Sequence, residues 1–110
     1  MYFFENGWSE TVNGKRVMVY AGSMRRHLEN EAVYYDPLTV HGFVIIIKGQ
    51  MGEPGTTWNQ VYTPTAVGSL HVVVAKGTLL TLQSRQGNKF LLNVETEQLA
   101  PLGNRESRPR

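Results

Sequence analysis

Apolar and polar residues alternate with a period of two along much of the chain, as they do in strands whose successive side chains leave opposite faces. The last third shows it best. Leu70, Val72 and Val74 share one face of residues 69–75, Leu80 and Leu82 one face of residues 78–84, and Phe90, Leu92 and Val94 one face of residues 88–94. Gly77 and the pair Gln86-Gly87 separate these runs, which predicts a three-stranded antiparallel meander. Beyond Glu95 the alternation fades.

Nearer the start, Asn13-Gly14 stands between the β-prone runs 9–12 and 15–21. A two-residue hairpin turn needs positive φ at both central positions, which Asn and Gly tolerate best, so a hairpin is expected here. Residues 1–8 are aromatic-rich and contain Asn6-Gly7; they read as an edge strand or as an N-terminal arm lying on the sheet. Gly22-Ser23 is expected to stop the second strand. Residues 23–31 hold the one helical spacing, with Met24, Leu28 and Ala32 four apart and Ser23 as a cap. Arginines at their start and glutamates at their end oppose the helix dipole, so a short helix and a loop are equal expectations.

Residues 32–35 have strand composition and are ended by Asp36-Pro37. Residues 43–47, Phe-Val-Ile-Ile-Ile, do not alternate. A strand apolar on both sides belongs in the middle of a sheet. In residues 58–62, Trp58, Gln60 and Tyr62 point one way and Asn59 and Val61 the other. About seven short strands predict an all-β fold, a small antiparallel β-sandwich or barrel, in one domain over residues 1–104. Residues 105–110 read as a disordered basic tail.

Charge alters this picture little. The formal net charge is +2, and the three arginines and one glutamate of residues 105–110 account for all of it. A phosphate-binding surface would carry its charge on the folded body, so nucleic acid is an unlikely partner. There is no cysteine, which removes disulfides, thiolate metal sites and thiol nucleophiles. No apolar run has the length of a membrane helix, and the first residues lack a signal-peptide pattern. A soluble protein is expected, cytoplasmic or a mature exported form.

Candidate chemistry is sparse. His27, His41 and His71 match no metal-ligand spacing, and no cofactor or metal is expected. Glu95 and Glu97 would share a strand face, as solvated carboxylates at a strand end. The glycine-rich residues 49–55 lack the Lys-Ser/Thr of a P-loop, and neither a Gly-x-Ser-x-Gly nor a His-Glu-x-x-His motif occurs. A small hydrolase is therefore the third reading. The first is a non-enzymatic binding or assembly module that recognises a protein partner or another copy of itself. Its candidate contact residues are Tyr2, Phe3, Phe4, Trp8, Trp58 and Tyr62. The alternative is a single-stranded nucleic-acid-binding barrel, with Arg16, Arg25, Arg26 and Lys48 beside stacking aromatics. The run of Tyr62-Thr-Pro64, Gly68-Ser-Leu70, Leu80-Thr-Leu82, Ser84 and Gly87, with Val19-Tyr-Ala-Gly22, resembles a pattern in small bacterial β proteins. These are turn and core positions, so the resemblance implies packing and no activity.

Overall fold

The computed structural model describes residues 2–24, 40–50 and 52–102, without the side chains of Tyr2, Phe3 and Met24. They form eight strands: β1 (Tyr2–Val12), β2 (Lys15–Met24), β3 (Gly42–Lys48), β4 (Thr57–Tyr62), β5 (Leu70–Lys76), β6 (Leu79–Ser84), β7 (Lys89–Asn93) and β8 (Gln98–Pro101). Each half of the chain makes its own antiparallel meander, with strand orders β1-β2-β3-β4 and β5-β6-β7-β8. The fold is all-β, as the alternation predicts. The C-terminal meander has four strands instead of three. Its fourth, β8, follows a turn in which Glu97 takes a φ of 62°, a backbone that normally selects Gly or Asn. Asn93 holds that turn, its Oδ1 accepting the N–H groups of Glu95 and Thr96.

The hairpin forms at Asn13-Gly14, with φ of 52° and 80°. Residues 1–8 do not end at Asn6-Gly7. β1 runs through both as the edge strand, with a bulge between Phe4 and Asn6. At Gly7 a Cβ would sit 2.8 Å from the Val19 carbonyl oxygen and 3.0 Å from the Tyr20 ring, so the ring occupies the space a side chain would take. β2 likewise passes the expected stop. Ser23 is buried and paired with Gly42, a strand residue and not a helix cap. The rest of the helix-or-loop stretch, the strand expected at 32–35 and the tail 105–110 lie outside the described residues.

Between the sheets lies the core. Val17, Val19 and Ala21 of β2 and Val44 and Ile46 of β3 meet Leu70, Leu80, Leu82, Phe90, Leu92 and Val94. The strands of the two sheets cross. Leu70 at the start of β5 lies over Gly42 of β3, where a Cβ would come within 2.5 Å of the leucine Cγ. Two residues on, Val72 is bonded to Asn6 of β1, on the far side of β2. So β5 traverses the first sheet from its third strand to its first, the geometry of an orthogonal sandwich. A bulge between Val72 and Val74 then reverses the side-chain alternation. Val74, expected beside Leu70 and Val72, pairs with Thr81 and is exposed, and Ala75 faces Leu80 instead.

Candidate partner-binding face

The side of β1–β4 turned away from the core is built from three cross-strand rows. Register places Phe4, Gly22, Phe43 and Tyr62 in the first, Gly7, Tyr20, Ile45 and Gln60 in the second, and Ser9, Met18, Ile47 and Trp58 in the third. None is charged. The centre of the face belongs to β3, whose Phe43, Ile45 and Ile47 are almost fully buried although no second sheet among the described residues covers them. Aromatic rings flank them: Phe43 lies 4.9 Å from Tyr62 and 6.3 Å from Phe4 between centroids, and Phe4 lies 5.6 Å from Tyr20. Glycine at position 22 leaves the Phe4 and Phe43 rings free to meet across it.

Phe4, Tyr20, Trp58 and Tyr62 are each between 39% and 54% exposed, and they are four of the seven exposed large apolar side chains among the described residues. Their gathering on one face is informative, because contiguous apolar surface on a folded protein marks contact sites. The Tyr62 hydroxyl donates to Gln60 Oε1 at 3.4 Å. Arg16 lies one row beyond, exposed, and with Met18, Tyr20, Gly7 and Ser9 it lines a groove of about 250 Å³ along β1.

Of the candidate contact residues, Phe4, Trp58 and Tyr62 come together here. Trp8 does not: it alternates to the core side and packs half-buried against it. Tyr2 and Phe3 lie in β1, with side chains outside the described residues. Tyr20, Met18, Ile45 and Ile47 belong to the face and were not singled out in the sequence. The signal was present in Val17, Val19 and Ala21, whose alternation sends residues 18 and 20 outward. Of the nucleic-acid candidates among the described residues, Arg16 borders the face. Lys48 turns to the core side, 2.8 Å from Glu97 and bonded to the Glu95 carbonyl, and so struts the two sheets together. Arg25 and Arg26 lie outside the described residues.

Elsewhere the polar groups serve the scaffold. Buried Thr63 accepts the Gly42 N–H and donates to the Thr65 carbonyl, while His41 Nδ1 donates to the Thr63 carbonyl at 2.9 Å. Glu5 takes two bonds from the Arg85 guanidinium, at 2.9 and 3.1 Å. Burial pushes the Glu5 carboxyl up, but Arg85, the Ser69 hydroxyl and His71 together outweigh it and hold the carboxyl below its ordinary value. Ser69 lies beside that carboxylate fully buried, with no hydrogen bond of good geometry to its Oγ among the described residues. A cleft of about 310 Å³ between the β1–β2 and β7–β8 turns is lined by Val12, Asn13, Lys15, Val17, Lys48, Val94 and Glu95, a set without histidine or hydroxyl. Among the described residues no three His, Asp or Glu gather as metal ligands would, and no helix is long and apolar enough to cross a membrane. Compared with known proteins, the chain matches no family model, no curated protein and no solved structure.

Proposed function

We propose that this chain is a non-enzymatic binding module that engages a protein partner through the outer face of β1–β4. One observation carries the reading: the exposed Phe4, Tyr20, Trp58 and Tyr62 gather on a face with no charged side chain in its three rows. Tyrosine and tryptophan supply large contact area at little conformational cost and dominate binding energy at protein interfaces. The nucleic-acid alternative draws less support, since among the described residues Arg16 alone of its candidates borders the aromatics and Lys48 is committed to Glu97. A hydrolase would need titratable groups converging on an open pocket. The cleft between the β1–β2 and β7–β8 turns offers Lys15, Lys48 and Glu95 without a histidine or hydroxyl.

Selection of a random peptide library on the immobilised chain tests the reading. Apolar sequences should enrich on the wild type, and the double variant Tyr20→Ser/Trp58→Ser should bind them about a hundredfold more weakly, as expected when two anchors are removed. Equal binding by the variant, or no enrichment, would overturn it. So would oligonucleotide binding that falls steeply with salt.

A further inference from the structure

We propose that two copies of this chain join edge to edge through residues 7–11 of β1, making one continuous eight-stranded sheet. The inference rests on the reading of the chain as a binding and assembly module, and it assigns the backbone edge that borders the aromatic face.

The sheet edges are unequal. β8 has four residues and ends in Pro101, which has no N–H to donate. β5 is bulged, and the Asn6 amide occupies both backbone groups of Val72. β4 is six residues long, and its Gln60 and Tyr62 are engaged in further contacts. β1 is the longest strand at 11 residues. Its bulge is confined to Phe4 and Asn6, and from Gly7 onward it pairs regularly with β2, Gly7 to Tyr20 through Val12 to Lys15. No strand among the described residues pairs with its other side. An unprotected regular edge is a template for another strand.

Charge selects the register. In a twofold pairing that keeps like faces together, one residue meets its own copy at the axis. Centred on Glu10, two carboxylates would oppose each other, which is destabilising. Centred on Trp8, the ladder would run into the bulge at Asn6. Centred on Ser9, Gly7 meets Thr11 and Trp8 meets Glu10, with no like charges opposed. The small side chains of Gly7, Ser9 and Thr11 then form the seam on the outer side, and the two aromatic faces become neighbours.

The chain has no cysteine, so single replacements report the register directly. Directly paired residues have Cα atoms about 4.5–5.5 Å apart, within disulfide reach. Under mild oxidation Ser9→Cys should give a linked dimer. Thr11→Cys should not, because its copies would lie about 13 Å apart along the ladder. Sedimentation of the intact chain should show twice 12.4 kDa, and Ser9→Lys, an exposed position, should return it to a folded monomer with an unchanged far-ultraviolet dichroism spectrum. A monomeric wild type, cross-linking in neither variant, or equal cross-linking in both would overturn the inference. A wild type that sediments as monomer yet still binds the selected peptides separates the two surfaces, since failure at the edge then leaves the aromatic face standing.

Discussion

On the outer side of β1–β4, Phe43, Ile45 and Ile47 lie buried among aromatic rings. The corresponding side of β5–β8 carries His71, Gln83 and Lys89 in one row, Val74, Thr81, Leu91 and Ala100 in the next, and Lys76, Leu79, Asn93 and Gln98 in the last. Both sheets are four-stranded antiparallel meanders, and both contribute to the same core. They differ in what they show to the outside. β6 and β7 alternate strictly, so one face is dry and the other is polar or half-wet, the ordinary state of an antiparallel sheet. β3 is apolar at consecutive positions and buried from Gly42 to Ile47, so the strand is dry on both faces. A second dry face in a two-layer fold is an investment in contact.

The largest expected break in this comparison comes from matched truncations. Phe43→Ala should cost about 3–5 kcal/mol in urea melts, as for a buried aromatic, although it faces away from the core. Leu91→Ala on the other sheet's outer side, half-buried, should cost about 1 kcal/mol. Equal costs would mean that the two faces are not different in kind.

Asn6→Ala tests how the sheets are held together. It strips both partners from the Val72 backbone and should cost about 1–2 kcal/mol. Hydrogen exchange at the Val72 amide should speed up while that at Leu92 changes far less. Protection unchanged at Val72 would show that the corner does not depend on Asn6.

The smallest effect is electrostatic. Because the folded carboxyl of Glu5 titrates below its ordinary value of 4.5, its contribution is present above that pH and lost as pH falls through the folded value. Glu5→Gln should therefore lower stability at neutral pH by about 1 kcal/mol or less, Arg85 being partly exposed. As pH falls through the folded value the gap to wild type should close. A gap that widens on acidification would contradict the assignment.

Strand character was legible wherever one residue type set the local geometry. Asn13-Gly14 specified its hairpin, and the unbroken run at 43–47 specified a central strand, because backbone preference and burial act locally there. What escaped the sequence depends on partners far along the chain. Asn6-Gly7 has the composition of a turn, yet Asn6 bonds a strand 66 residues away and Gly7 makes room for a ring on β2. The bulge that turns Val74 outward sits inside a run of valines with no local mark. β8 was hidden because Glu97 occupies a turn position where glycine would have announced a return strand. The aromatic face was half legible: Trp58 and Tyr62 fell on one side of β4 by alternation, but their neighbours on β1 and β2 follow only from register.

Each sheet is an uninterrupted block of sequence, and one connection, residues 63–69, passes between them. Every ladder is thus closed within its own block. A cut at the exposed link between Thr65 and Ala66 would sever no strand pairing and leave the described blocks joined by the core, by the Gly68 and Val67 N–H bonds to the Val40 and Thr65 carbonyls, and by the contacts of Asn6, Glu5 and Lys48. The molecule is accordingly divided as a two-piece reporter would be, its halves suited to finding each other again by complementation.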